Sequence, residues 1–306
     1  MRFILTLTLI LIGSSAIFAQ SGNNSSGDAV RAQELIRQAR AAIGGEEKLK
    51  AVQSLSAAGT FRRVIGGQDL SGELEFDLLL PDKYLKSETM IPMPGADITR
   101  IEALSGDKAW ADARSSGPGR IMIRTAGDGA NAQVALQRAT QAEFARLLLS
   151  WLLTSSPAFP LEFSYAGEAK AEDGAADVLD VKGPNGFAAQ LFLDQKTHQP
   201  LMLGYRGVAP RMVMNRTTTQ GGRSPEEVEK AIKEAQAKAK EGHAEAPAQR
   251  PPEVEMQVRF SDYRNIGGLL LPHRISKATN GKLNEEWEMT KFKLNPTLKP
   301  EKFEKK

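Results

Sequence analysis

A chain of 306 residues, 41% hydrophobic and 25% charged, is long enough to bury a sizeable core. Its formal net charge is only +3, its Lys and Arg are interleaved with Asp and Glu, and no basic stripe alternates with aromatics, which argues against nucleic acid as a partner. It contains no cysteine, so no disulfide framework supports it and stability must come from packing.

The N-terminus reads as a targeting segment. Arg2 supplies the positive charge, Phe3 to Ile12 is an apolar run, and Ile17-Phe18-Ala19 places a small residue before Gln20. This order matches a secretory signal peptide over 1–19, and the run is too short for an ordinary membrane span. No cysteine follows it to carry a lipid. Residues 20–27 form a Ser/Asn/Gly tether. One domain is expected over 28–306.

Asp28 is placed to cap a helix running to about Ile43, with Val30, Leu35, Ile36 and Ile43 near helical spacing and Gly44-Gly45 to end it. Glu46 to Val52 adds a helical turn or two. The period then changes to two. Ser54 to Ile65 reads as a strand and Gly66-Gly67 as a hairpin turn. Leu74, Phe76 and Leu78 alternate with Glu73, Glu75 and Asp77, which gives one buried face and one solvated face. Lys83 to Met90 is a third strand, interrupted by Ile91-Pro92-Met93-Pro94-Gly95. Ile98 to Leu104 and Lys108 to Ala113 form a hairpin across Ser105-Gly106, and Ile121 to Arg124 is a short further strand.

Ala130 to Leu153 is the longest helical pattern of the first half. Its apolar face comprises Val134, Leu136, Phe144, Leu147, Leu148, Trp151 and Leu152, and Pro157 and Pro160 close it. Strands resume around Leu161 to Tyr165, Val178 to Asp180, Phe187 to Leu193 and Pro200 to Arg206. From about 211 to 252 the composition shifts to an Ala/Lys/Glu-rich helix with almost no apolar face, flanked by Ala/Pro-rich chain. This is a polar insertion. Val254, Met256, Val258 and Phe260 alternate again. Leu269 to Ala278 and Leu283 to Phe292 pair across Asn280-Gly281, and Lys293 to Lys306 is a polar tail with one aromatic, Phe303. The pattern is mainly β with helices (α+β). It predicts a large curled antiparallel sheet of about ten or eleven strands whose concave face is covered by helices.

Three motifs stand in order: Leu80-Pro81-Asp82-Lys83-Tyr84, Leu104-Ser105-Gly106-Asp107-Lys108-Ala109-Trp110, and Phe260-Ser261-Asp262-Tyr263. With the N-terminal helix, the mid-chain helical plug, Asn295-Pro296 and the late Phe303, they give the chain the order of the LolA/LolB lipoprotein-carrier superfamily, which it resembles from about Asp28 to Phe303 outside the insertion. The resemblance implies an unclosed half-barrel that holds acyl chains of lipids or lipoproteins on an apolar concave face beneath a helical lid. It also implies a periplasmic location. One position departs: the superfamily's lid-tethering arginine, just before the strand-ending proline, is Leu80 here.

On that resemblance the acyl-binding face is represented by Phe61, Leu74, Phe76, Leu78, Tyr84, Val258, Phe260 and Trp287, with Trp110 at the rim. The residues alone leave a second reading open, in which these alternations are ordinary core packed against helices and Trp110 packs its hairpin. Ile91 to Gly95 and Met212 to Met214 are apolar segments whose methionines suit varied ligand shapes.

Nothing in the chain points to catalysis, a metal or a cofactor. His198, His243 and His273 form no metal-ligand spacing, no nucleophile elbow is present, and Glu73, Glu75 and Asp77 read as a solvated face. The expectation is a monomeric, non-enzymatic periplasmic carrier whose partners are acyl chains and the sorting proteins of the inner or outer membrane. The alternative is an envelope-stress sensor or interaction module of the same fold that binds a membrane protein.

Overall fold

Strands form where the apolar residues recur at every second position, and the computed structural model joins them into one sheet. It describes residues 25–65, 67–93, 96–116, 130–171, 174–208 and 253–305. The chain divides into two units, 1–206 with 255–306, and 207–254. The expected signal peptide, most of the tether, the strand at 121–124 and the insertion at 211–252 lie outside the described residues.

Helix α1 spans Ser25–Ala42, α2 spans Glu46–Lys50 and α3 spans Ala130–Leu152. The strands are β1 Ser54–Ile65, β2 Gln68–Leu79, β3 Lys83–Met93, β4 Ala96–Ser105, β5 Lys108–Ser116, β6 Glu162–Ala171, β7 Gly174–Lys182, β8 Ala188–Asp194, β9 Pro200–Val208, β10 Glu253–Ile266, β11 Leu269–Thr279 and β12 Lys282–Leu294. They make one open antiparallel sheet in the order β5-β4-β3-β2-β1-β12-β11-β10-β9-β8-β7-β6. Among the described residues no helix is long and apolar enough to cross a membrane.

This order fixes the role of α3. The two edges of the sheet, β5 and β6, are consecutive in sequence, and α3 lies in the connection between them. Because β1 pairs with β12, the sheet is continuous from edge to edge, so the β5–β6 connection has to pass over one of its faces. The apolar face of α3 is what allows it to lie there.

The register defines the covered face. Phe61 of β1 pairs with Trp287 of β12 on one side and Gly72 of β2 on the other. Trp287 pairs in turn with Ile275, and Ile275 with Phe260. Leu78 pairs with Tyr84, Tyr84 with Leu104, and Leu104 with Ala109. Most of these residues are buried, and the rings and leucines among them are nearly inaccessible.

Helix α1 covers the β6–β7 side of the same face. Arg31 stacks 4.1 Å over Tyr165 and reaches Asp177 at 3.4 Å. Gly44, at φ 139°, ends α1 against β11, where an added Cβ would stand 2.6 Å from the Gly268 carbonyl.

Several expectations are corrected. The sheet has twelve strands rather than about ten or eleven. The prolines near 92–94 do not end β3 at Met90: pairing shifts register between Met90 and Met93 and the strand continues to Met93, as a bulge permits. Val30 and Val134, expected on apolar helix faces, are 67% and 44% exposed. Asp77 is buried rather than solvated, because Ser56 Oγ and Lys302 Nζ both donate to its carboxylate.

The polar tail is docked as well. Asn295 Oδ1 accepts from the Gln53 and Ser54 amides at 2.7 and 3.3 Å, its Nδ2 donates to the Ala51 carbonyl at 3.0 Å, and Phe303 is fully buried.

Gly59 stands against the backbone of β12, beside the register shift at Ala58/Gly59. A Cβ there would meet the Glu288 carbonyl at 2.3 Å and Met289 Cα at 2.8 Å, both backbone atoms that cannot rotate away. Gly59→Ala is expected to cost about 1–3 kcal/mol and lower the melting temperature by a few degrees or more. A thermal melt that matches wild type would show that the pair accommodates a methyl group.

Candidate functional site

The centre of the covered face is an aromatic cluster built from both layers. Phe76 of β2 stands edge-on to Trp151 of α3, with ring centroids 5.2 Å apart, and contacts Trp287 at 5.4 Å and Tyr84 at 6.4 Å. Tyr84 meets Phe144 of α3 at 5.6 Å, and Trp151 meets Phe292 at 5.3 Å. Leu148 and Leu152, one helical turn apart, fill between them, and both are buried. A void of about 20 Å³ lies among Leu104, Phe144, Ala145 and Phe159, room for about one water.

Both ends of α3 are tied by single polar contacts. At its C-terminus Leu153 takes a left-handed conformation, φ 49°, and its carbonyl accepts from Arg40 Nε of α1 at 2.9 Å. Near its N-terminus Gln133 Nε2 donates to the Ala109 carbonyl of β5 at 2.7 Å. The missing arginine at Leu80 is therefore not the only way to hold this helix.

Beside the aromatics lies a layer of charge in which Arg63, Glu88 and Glu285 are buried and the other members half-buried. Arg63 of β1 is bidentate to Glu285 of β12, with Nε and Nη2 at 2.8 Å, and reaches Glu88 of β3 with Nη2 at 2.9 Å and Nη1 at 3.3 Å. Lys86 pairs with Glu88 at 2.8 Å. Trp287 Nε1 donates to Glu285, and Lys277 Nζ sits 3.7 Å from the Trp287 ring centroid. From α3, Glu143 and Arg146 face this layer; they pair at 3.5 Å, and Arg146 stacks 3.9 Å over Tyr205.

Arg63 and Glu88 are not register neighbours. Gly72 stands opposite both Phe61 and Met90 between their strands, and a side chain there would collide with the Phe61 ring and the Thr89 carbonyl. A curled sheet with no side chain at Gly72 lets the guanidinium cross β2.

Burial alone would neutralise these groups, and partners prevent it. Burial raises the Glu285 carboxyl, but Lys277, Arg63 and Lys86 outweigh it and bring the pKa down to about 2. Glu88 is displaced the same way, burial being overcome by Lys86 and Arg63. Lys277 moves oppositely: burial lowers its pKa, and Glu285 and Glu143 only partly restore it. Burial, aided by Glu143, Glu102 and Glu88, holds the Tyr84 phenol well above its ordinary value, and its hydroxyl has no hydrogen-bond partner.

Of the nine residues singled out from sequence, eight share this face: Phe61, Leu74, Phe76, Leu78, Tyr84, Val258, Phe260 and Trp287. Trp110 does not. It pairs with Ala103, one residue out of phase with Leu104, so it lies on the opposite face, where its Nε1 donates to the Phe303 carbonyl at 2.8 Å. Met212 to Met214 lie outside the described residues. The charged layer was missed because each member, seen alone, reads as solvated. The available signal was phase: Arg63 follows Phe61 by two, Lys86 and Glu88 follow Tyr84 by two and four, and Glu285 precedes Trp287 by two.

Among the described residues no group of three or more His, Cys, Asp or Glu side chains could hold a metal ion. His273 is buried beside Phe292, with Nδ1 3.0 Å from the Leu271 carbonyl.

No protein-family model matches the chain, and no curated protein matches it in sequence. Among solved structures it is similar to a putative outer membrane lipoprotein-sorting protein domain from Vibrio parahaemolyticus, at 10% identity and TM-score 0.46, over 90% of this chain and 97% of that one. It is similar to a DUF1329 family protein from Desulfovibrio piger at 10% identity and TM-score 0.44, over 89% and 97%. A LolA superfamily protein from Nitrosomonas europaea follows at 11% identity and TM-score 0.41, over 90% and 97%.

Two outcomes follow from the charged layer. Arg63→Met leaves Glu88 and Glu285 buried without their common cation and is expected to cost about 3–5 kcal/mol in urea denaturation. Adding Glu88→Gln and Glu285→Gln should recover part of that loss, and no recovery would mean that the layer does not act as a unit.

The second concerns pH. A carboxylate whose folded pKa lies below its ordinary value stabilises the fold above the ordinary value and ceases to do so as pH falls through the folded one. The Glu285 contribution is therefore present above about 4.5 and lost between there and about 2. Glu285→Gln should flatten the stability profile in that window. An unchanged slope would contradict the assignment.

Proposed function

We propose that this chain is a periplasmic binding protein that holds acyl chains of a lipid or lipoprotein on the concave face of its sheet, without chemistry. The observation that supports this most directly is the pairing of that face with α3. Phe61, Leu74, Phe76, Leu78, Tyr84, Phe260 and Trp287 share one apolar face, and over Phe76 and Tyr84 lie Trp151 and Phe144 of a helix strung between the two sheet edges. In this reading α3 is the plug and an acyl chain is its competitor.

The magnitudes allow exchange. A sixteen-carbon chain has about fourteen methylenes, each contributing about 0.8 kcal/mol on burial, or about 11 kcal/mol in all. Uncovering Phe144, Leu148, Trp151 and Leu152 costs about 1.5–3 kcal/mol each, or about 6–12 kcal/mol. The two nearly cancel, so binding is reversible and sensitive to chain length. An enzyme has no such requirement, and the groups on this face offer no nucleophile paired with a base.

The test is uptake of a fluorescent fatty acid by wild type and by folded Phe76→Glu and Phe260→Glu variants, with stability measured alongside. Wild type should take up the probe and both variants should lose it, because an unpaired carboxylate on the face is costly to bury against a chain. Native mass spectrometry of protein prepared from membranes should show co-purified lipid. No uptake by wild type would hand the function to the alternative, a module that binds a membrane-protein partner. Uptake by the folded variants equal to wild type would place the ligand elsewhere.

A further inference from the structure

We propose that the charged layer beside the aromatic cluster binds the anionic headgroup, carboxylate or phosphate, of the amphiphile whose chain takes the place of α3, with Lys277 as the counter-ion. This inference rests on the acyl-binding reading and specifies the ligand class that the same face selects.

Each cation of the layer but one makes an ion pair within 4.0 Å, and that one, Lys277, feels Glu285 and Glu143 only from farther away. Both oxygens of Glu88 are taken by Arg63, and Lys86 pairs with the same carboxylate. Glu285 accepts from Arg63 and from Trp287 Nε1. Glu143 pairs with Arg146. Lys277 alone of these cations has no carboxylate within 4.0 Å among the described residues. What its ammonium faces is the Trp287 ring, at 3.7 Å, and Lys86 approaches the same ring at 5.4 Å.

A cation drawn from water onto an aromatic face recovers only part of its hydration, about 0.5–2 kcal/mol from the ring. An anion placed beside it recovers far more, as a charge-assisted hydrogen bond. The Tyr84 hydroxyl is a second idle donor in the same layer. It is fully buried, makes no hydrogen bond, and shares its surroundings with Glu143, Glu102 and Glu88.

Position selects an amphiphile over a free anion. Trp287 is the boundary between the two layers: the lysine ammonium lies over its ring, and the Phe76 ring lies 5.4 Å away on the route to Trp151. A chain running along Phe76 in place of Trp151 would end at this tryptophan. Its headgroup would then fall beside Lys277. A neutral headgroup would leave the lysine as it is, and a cationic one would be repelled by Lys277 and Lys86.

The experiment compares dodecanoate, dodecyl phosphate, dodecanol and inorganic phosphate as ligands of the full chain, by titration calorimetry at neutral pH. The two anionic amphiphiles should bind at least tenfold more tightly than dodecanol, inorganic phosphate should bind far more weakly than either, and in Lys277→Met the preference over dodecanol should disappear. Equal affinity of wild type for all three twelve-carbon ligands would overturn the headgroup site and leave the acyl reading standing. So would a preference that survives in Lys277→Met. Binding of none of the three would overturn the acyl reading and the headgroup site together. Tight binding of inorganic phosphate alone would overturn the amphiphile as the ligand. The wild-type comparison needs no variant, so the proposal stays falsifiable if Lys277→Met does not fold.

Discussion

Arg63 sets the most demanding condition in this fold. A guanidinium taken from water is tolerated only when carboxylates and their hydrogen bonds meet it, and here they come from two strands on opposite sides of its own. Glu285 is a register partner and arrives with the β1–β12 pairing. Glu88 lies beyond β2, so the sheet must curl and Gly72 must stay without a side chain for the pair to close. The ion pairs thus constrain curvature, pairing and composition together. β1 and β12 come from opposite ends of the domain's sequence, and this network is one of the places where they are bound by more than backbone.

The same curvature creates the problem that α3 solves. Rolling a wide sheet gathers the inner side chains of distant strands, which brings Phe76, Tyr84, Trp287 and Phe292 into one patch too large to leave in water. A closed barrel would bury such a patch against itself. An open one has two free edges, and here the chain passes from one edge to the other through the helix that covers the patch. On the proposed reading this cover can be displaced, as half of a β-sandwich cannot. Its rings and leucines face the sheet, while its ends are fixed by Arg40 and Gln133.

Much of this was legible in the sequence, for a physical reason that also explains the failures. Alternation is a local property, so the inward phase of β1, β2, β10 and β12 could be read from Phe61, Leu74 and Phe76, Val258 and Phe260, and Trp287 without knowing what they touch. The hairpin at Asn280-Gly281 declared itself through residues that tolerate positive φ, observed at 48° and 74°. What needed pairing between distant strands did not show. Trp110 follows a turn, and its face depends on how the hairpin registers. Asp77 continues an acidic series, and only the docked C-terminal residues reveal that Lys302 reaches it. The charged layer is the clearest case. Arg62 and Arg63 are adjacent arginines of which one is exposed and the other buried, and composition gives no hint of which.

Placing charge beside aromatics on a replaceable cover also has a consequence for specificity. A wholly apolar face accepts any chain of suitable length, because methylenes contribute alike wherever they come from. Discrimination requires a polar group whose satisfaction depends on the ligand. Arg63 and Lys86 cannot serve, since their partners already hold them and a ligand would have to compete with internal ion pairs. In the proposed headgroup site, Lys277 has no carboxylate within 4.0 Å among the described residues and the Tyr84 hydroxyl no hydrogen-bond partner, which leaves both able to meet an incoming anion. Burying the Lys277 ammonium and an unpartnered Tyr84 hydroxyl costs the fold stability, and on the proposed reading that cost is what gives the face a means of choosing among ligands. Arg63 with Glu88 and Glu285 ties β1, β3 and β12 together, and on the proposed reading Lys277 lies where the end of a bound chain would fall.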